Sequence, residues 1–368
     1  MALRWLEGFE NRQVSTYQSR LYASFAGAFG NGTGRKHGNA VSGTNHQHTT
    51  RALVGSVQNT WIYQFAVRKS DNVGMSGGTV VFELLNSVGV QLAVHLVEAA
   101  TPDLGSYKVE IRRGATVLAT STRIFSPGNQ EHGWWVFQLK ATVRTSTNGA
   151  YELKAWDDKG TAITVISATT GVNTANQGTD GADRVAFRHP IGAVTNFLFD
   201  DIVVMDSTGS VNNDFTSVPL VVYGEIPNAD VGGEADWIPS TGTNHNDLVN
   251  DAATLPDEIG EVTSDVVGDV DLYGFTQVQL DLVPTASPPV PIGIMVDVEA
   301  LMKTSGQRTV RVRFKDSTNQ ADDTTDMIYT TTGKVSNYAV LEQNPTGTPA
   351  AWTLAVLKTI ELGPKNNA

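Results

Sequence analysis

The 368-residue chain has no cysteine. Disulfides, thiolate metal sites and thiol nucleophiles are excluded together. It also has no run of about 18 apolar residues, so no helical membrane span is expected. The opening Met1-Ala-Leu-Arg-Trp-Leu-Glu-Gly8 lacks an apolar core, being interrupted by Arg4 and Glu7. No Sec-type signal is therefore expected, and the protein is expected to be made and folded in a cytoplasm. Basic charge is in deficit: 26 Lys+Arg stand against 38 Asp+Glu, a net −12. A non-specific nucleic-acid binder or a protein resting on anionic lipid would need the opposite sign. Hydrophobic content of 40% is enough for packed interiors, so wholesale disorder is not expected.

The charge is unevenly placed. Up to Ser210 the chain carries 18 Lys/Arg and 16 Asp/Glu, net +2; from Val211 onward it carries 8 and 22, net −14. Length alone suits two cores better than one. The expected division is residues 1–207, a linker at 208–214, and an acidic domain at 215–368. Asp206-Ser-Thr-Gly-Ser-Val-Asn-Asn-Asp214 is polar and glycine-containing, as a short tether would be. The two halves show no internal repeat on each other.

Period-two runs dominate the first half. Thr60–Val67 is rich in aromatic and β-branched residues. Thr79–Leu85 and Val90–Val97 flank Asn86-Ser-Val-Gly89, a hairpin signal. Tyr107–Gly114, Trp134–Thr145, Ala150–Trp156, Ala162–Ile166 and Asn196–Asp206 read as further strands. Along Trp134–Thr145, residues Trp135, Phe137, Leu139, Ala141 and Val143 share one face. In the second half, Val218–Tyr223, Asp271–Leu280, Pro291–Ala300 and Arg308–Phe314 read as strands, with a long polar stretch at Asn228–Asp257. Thr353 can cap a short helix over Leu354–Leu362, stopped by Gly363-Pro364. The expected fold class is all-β: a jelly-roll sandwich, then a second antiparallel β domain with one short C-terminal helix.

Two regions carry a family resemblance. His132-Gly-Trp-Trp-Val-Phe-Gln-Leu-Lys140, Asn148-Gly-Ala-Tyr-Glu-Leu-Lys154 and Phe199-Asp-Asp-Ile-Val-Val-Met-Asp206-Ser-Thr-Gly209 resemble the concanavalin A-like (laminin-G-like) jelly-roll domains of tailed-phage virion proteins. Asp236-Trp-Ile-Pro-Ser-Thr-Gly242, Asn246-Asp-Leu-Val-Asn-Asp251, Gly268-Asp-Val-Asp271, Asn344-Pro-Thr-Gly347, Ala351-Trp-Thr353 and Glu361-Leu-Gly363 are similar to the C-terminal half of those proteins. The order and spacing of these strings carry the likeness more than any one of them. The resemblance implies a virion component on the capsid or tail exterior. It supplies no catalytic residue and does not separate fibre, spike and head-decoration roles. Glu225-Ile-Pro227 and Ser287-Pro-Pro-Val-Pro291 depart from the family's pattern.

Reactive constellations are few. Gly74-Met-Ser-Gly-Gly78 matches the nucleophile-elbow string, but a strand follows where the elbow needs a helix. Asn45-His-Gln-His48 places two imidazoles at i and i+2, which His95 or His132 could join around a metal; exposed loop histidines are the plainer reading. Asp200 and Asp201, with Asp157-Asp158 and Asp180 or Asp183 in earlier turns, are calcium candidates. No D-x-D-x-D-G loop is present, and bonds from Asp200 and Asp201 to backbone N–H groups are preferred. A glycosidase on a sandwich needs evenly spaced carboxylates on one strand; Asp297-Val-Glu299 is a lone pair, read as a solvated edge. Trp134 shares a face with Gln138 and Lys140, which marks it as the aromatic for an interface or a glycan.

The expectation is a non-enzymatic structural protein with no cofactor, exposed on a phage particle and possessing neighbouring virion proteins as partners. It is expected to be a homo-oligomer, a trimer being the guess, and to act in assembly and host attachment. The near-neutral half is expected nearer the particle. The alternatives are a carbohydrate-binding adhesin recognising a host surface glycan and a polysaccharide-degrading enzyme.

Overall fold

The computed structural model describes residues 2–8, 24–26, 30–36, 39–42, 47–50, 53, 57–69, 78–100, 106–125, 133–157, 160–188, 197–249, 260–275, 290–303, 306–330, 333–346 and 350–367. The architecture is all-β, with antiparallel pairing throughout and one short α-helix among the described residues. Contacts divide it into two compact units, the first ending at Val222 and the second running from Tyr223.

The first unit holds β1 (Leu3–Glu7), β2 (Ser24–Ala26), β3 (Gly30–Thr33), β4 (Asn39–Ser42), β5 (Gln47–Thr49), β6 (Thr60–Lys69), β7 (Thr79–Asn86) and β8 (Gly89–Glu98). It continues with β9 (Tyr107–Arg113), β10 (Thr116–Thr120), β11 (Trp135–Thr142), β12 (Gly149–Trp156), β13 (Ala162–Val172), β14 (Arg184–Arg188) and β15 (Phe197–Asp206). One sheet runs β13-β12-β11-β6-β15-β4-β3, with β1 also paired to β15; the other runs β10-β9-β8-β7-β14-β5-β2. Strands such as β9, β11 and β12 turn alternate apolar residues inward, and the two inner faces meet as a sandwich. The Tyr63 and Phe82 rings stack across the sheets at 3.6 Å, and Phe125 lies edge-on to both Trp135 and Phe137. Trp135, Phe137, Leu139, Ala141 and Val143 are all buried on the face the alternation assigns to them. β7 and β8 form the expected hairpin, closed by the two-residue turn Ser87-Val88.

The expected strand Val218–Tyr223 is absent as a strand. The segment belongs to no sheet ladder, and its residues to Val222 belong to the first unit. Side chains take up its backbone groups instead of a ladder, as described below.

The second unit holds β16 (Pro227–Ala235), β17 (Ile238–Pro239), β18 (Val262–Thr263), β19 (Asp271–Phe275), β20 (Ile294–Ala300) and β21 (Arg308–Lys315). Then come β22 (Gln320–Asp322), β23 (Met327–Tyr329), β24 (Val335–Leu341), β25 (Gln343–Asn344), β26 (Ala350–Ala351), α1 (Leu354–Leu357) and β27 (Glu361–Asn366). The main sheet runs β16-β19-β27-β21-β22, with β23 on β21; β20 and β24 pair separately. Val312, Phe314, Met327, Tyr329, Leu341 and Trp352 form its core. The expected polar stretch at Asn228–Asp257 in fact contains β16 and β17; its residues 250–259 lie outside the described set.

The helix is also shorter than expected. Thr353 caps it as expected, its Oγ1 accepting the Val356 N–H at 3.2 Å. It ends after Leu357, and Gly363 and Pro364 lie inside β27, a central strand. A side chain at Gly363 would collide with the Asp271 carbonyl, so the glycine serves the close approach of β27 to β19 and not a helix stop.

Candidate functional site

Asp200 and Asp201 sit at a bulge in β15, where the register to β6 shifts between Asp200 and Val203. Asp201 has φ +49°, a left-handed conformation that a non-glycine residue holds only under local constraint. Its carboxylate supplies that constraint. Oδ2 accepts the Arg35 Nε–H at 2.5 Å, and Oδ1 accepts the Val222 N–H at 2.7 Å. Asp200 accepts the backbone N–H of Arg35 and of Asp201, at 2.7 and 2.8 Å. Both carboxyls are pushed up from the usual aspartate range, first by burial; the Asp201 charge adds to the effect on Asp200, and Arg35 opposes it on Asp201. These calcium candidates are thus brought together, but around a guanidinium and backbone donors.

Trp134 is 5% exposed. It packs with Ala40, Ala66, Val136, Trp156 and Leu198. The reasoning that placed it on the face opposite the main core holds, but that face is itself covered at this point, which leaves no ring surface for a sugar. Further along the same face, residues 214–222 cross the strands in the order β12, β11, β6, β15. Lys154 lies over the Phe215 ring at 4.2 Å, and Lys140 pairs with Asp214. Gln138 bonds Thr216; Gln64 accepts the Leu220 N–H at 2.8 Å and donates to its carbonyl at 3.1 Å. Arg35 donates to the same Leu220 carbonyl. Gln64 and Gln138 are fully buried, so these bonds replace the water they have lost.

The opposite outer face, on the β10-β9-β8-β7-β14-β5-β2 sheet, gathers ionisable groups. Phe82 and Leu84 point inward on β7, so Glu83 points outward. The same alternation puts Ala93, His95 and Val97 of β8, Lys108, Glu110 and Arg112 of β9, and Arg184, Ala186 and Arg188 of β14 on this face. Register aligns them in rows: Arg112, Ala93, Glu83 and Ala186 in one, Glu110, His95 and Val80 in the next. Glu83 accepts the Arg188 Nε–H at 2.7 Å, and Glu110 pairs with Arg112. The Glu83 carboxyl is raised by burial against the opposing pull of Arg188. His95 is half-buried, and its Nδ1 has no hydrogen-bond partner among the described residues. Burial, and then the Arg112 charge, holds its pKa down at about 4, so the ring is neutral at pH 7.

Sequence reasoning set His95 or His132 beside His46 and His48 as possible metal ligands. His46, His132 and Gly74–Gly77 lie outside the described residues; Gly78 leads directly into β7. Among the described residues no three His, Cys, Asp or Glu side chains are grouped to hold a metal. The row of charges itself was missed. Its signal lay in the alternation Lys108, Glu110, Arg112, but β14, which supplies Arg188 and Ala186, gave too short a run to register.

The second unit has its own buried polar network. Asp271 is fully buried; both its oxygens lie 2.9 Å from His245 Nδ1, and Tyr273 donates to it at 2.6 Å. Asp230 accepts the His245 and Asn246 N–H groups. Burial raises the Asp271 carboxyl, against the two donors. The network fastens the single turn at Asn246–Leu248 to β19 and β16.

No family model matches the chain, and no curated protein matches it. Solved structures similar to it include a PL-14 alginate lyase from Aplysia kurodai, at 13% identity and TM-score 0.38 over 55% of this chain and 98% of that one. An endo-β-1,4-glucuronan lyase from the fungus Trichoderma reesei aligns at 11% identity and TM-score 0.35, over 55% and 94%. A carbohydrate esterase from the Shiga toxin-encoding bacteriophage phi24B aligns at 14% and 0.34, over 55% and 99%.

Proposed function

We propose that this chain is a non-enzymatic structural protein on the exterior of a bacteriophage particle, of the fibre, spike or head-decoration kind. In this reading it is made in the host cytoplasm, assembles as a homo-oligomer with other virion proteins, and contacts neither nucleic acid nor membrane. The observation that carries the reading is how the ionisable groups are employed. Arg4–Asp206, Arg35–Asp201 and Glu83–Arg188 each join segments more than 100 residues apart. His245–Asp271 ties a turn to a strand 26 residues further on in the second unit. Charges used as internal ties hold a surface in one shape, which suits repeated docking against identical neighbours. The virion-protein resemblance of the paired-aromatic strand and of the C-terminal motifs agrees with this use. The acidic second half opposes aggregation of exposed copies.

Mass spectrometry of density-purified particles tests the reading. Peptides of this chain are expected at fixed stoichiometry with the major virion proteins, and light scattering of the isolated protein is expected to give three times the chain mass. Its absence from purified particles would refute the proposal.

A further inference from the structure

We propose that the open flank of the first unit, where β13 and β10 end their two sheets, is a docking surface for the same flank of a second copy of this chain. The inference stands on the first unit alone. It adds a two-fold contact to the homo-oligomer read above and does not depend on that reading.

Three observations carry it. The first is position. β13 ends one sheet and β10 the other. Both lie on one side of the sandwich, since Tyr151 of β12 donates to the Leu118 carbonyl of β10, and Arg113 of β9 donates to the Asn173 carbonyl just past β13. Among the described residues, no backbone–backbone bond ties Ala162–Val172 to anything but β12. The second is charge. Gly160–Thr179 is a run of 20 residues without Asp, Glu, Lys or Arg, and Gly114–Thr122, on and beside β10, is a run of nine, in a chain that is 17% charged. Burial does not explain this: Ala162, Thr164, Ser167, Ala168, Thr170 and Gly171 are all exposed, and Val117 of β10 is 46% exposed. Proteins guard a long sheet edge with Lys or Pro, and β13 has neither. Depletion of charge is what sets the centre of an interface apart from other surface. The third is size. Eleven residues of strand run about 36 Å, and two sheet edges with their own width span about 15 Å. Two such flanks bury on the order of 1,000 Å², the lower limit of a specific contact.

The occupant follows from electrostatics. Copies of net charge −12 repel, and the repulsion is least where an uncharged surface meets another. A charged patch docked on the flank would lose water and meet no opposite charge. The flank is thus matched to itself, and a surface matched to itself pairs about a two-fold axis and closes at two copies. The strand's irregularities agree with closure. Between Gly149 and Lys154 of β12 the register shifts three times, each time with one extra residue on β13. Such bulges bend an edge and stop strands from adding without end. The contact is therefore made by small side chains and scattered main-chain groups, not by a continuous ladder.

Sedimentation equilibrium of the full chain, from about 1 μM to about 1 mM, tests it. The mass is expected to double across that range over its dilute value, whatever oligomer the dilute value represents. Thr164→Glu combined with Ser167→Glu is expected to abolish the doubling and to leave the dilute mass and the melting unchanged. Val267→Glu combined with Ile328→Glu adds the same charge at exposed sites of the second unit and is expected to keep it. If the flank variant does not fold, a short bismaleimide decides, the native chain having no cysteine. Linked pairs are then expected from Ser167→Cys and not from Ile328→Cys. The proposal is overturned by a mass that stays constant with concentration, by doubling that survives the two flank glutamates, by its loss in both double variants, or by equal or no linkage at the two cysteine sites. Particle composition is measured separately: absence from particles leaves this contact standing, and a constant mass leaves the particle reading standing.

Discussion

Replacing Arg35 with methionine removes the cation that is hydrogen-bonded to the buried Asp201, beside the buried Asp200. The side chains of Arg35 and Asp201 are 3% and 2% exposed, so water cannot take the place of the guanidinium. Breaking such a pair from one side costs about 3–5 kcal/mol. A ceiling comes from proton uptake. Protonating an aspartate of ordinary pKa 3.8 at pH 7 costs about 4 kcal/mol, at about 1.4 kcal/mol per pH unit. At pH 4.5 the same step costs about 1 kcal/mol. Leu220 also loses a carbonyl partner, worth about 1 kcal/mol at either pH. Arg35→Met is therefore expected to cost about 5 kcal/mol at pH 7 and about 2 at pH 4.5. The direction is set by linkage. Raised carboxyls contribute their full stability below 3.8 and lose it as pH rises through the folded-state value; the variant raises Asp201 further and steepens that loss. Urea unfolding followed by tryptophan emission measures it, since Trp5, Trp61, Trp134, Trp135 and Trp156 all lie in the first unit. An equal loss at the two pH values would refute the reasoning, because it would show that the guanidinium contributes packing and not charge.

Gln64→Ala should cost about 2 kcal/mol and speed hydrogen exchange at the Leu220 N–H, which loses its acceptor; exchange mass spectrometry across 214–222 reads it. The His95 ring should titrate at about 4, and because its pKa is depressed, its contribution to stability should be intact above 6.5 and fade as pH falls from 6.5 through 4; NMR of the ring signals checks both. Gly363→Ala should destabilise the second unit by about 3 kcal/mol, with little effect on the first, as two separate calorimetric transitions would show. Tyr273→Phe should cost about 2 kcal/mol in the same unit, from the donor lost to Asp271.

The long strands were legible because their pattern is strong and local. Thr60–Val67 and the Val80–Val97 hairpin repeat apolar residues every second position around a compact turn signal, and β6, β7 and β8 follow them closely. Short strands such as β10 and β14 give five residues each, too few for a period to stand out. The Leu354–Leu362 helix failed for another reason. Thr353 does start a helix, but the pull of the β19 and β21 edges on residues 361–366 exceeds one more helical turn, and Gly363 fits the strand better. Trp134 failed because a strand's alternation gives the face and not what lies over it. The aspartate pair was read correctly as bonding backbone N–H groups, yet Arg35 is 166 residues from Asp201 and no local pattern joins them.

The segment that crosses the first sheet alters how that sheet would answer tension. A pull on the chain beyond Val222 is met first at Asp201, on β15, which is flanked by β6 and β4 deep within the sheet. Stress enters amid the strands and spreads to both sides, so nothing frays from a rim. The unit should yield late and all at once, as a rivet does.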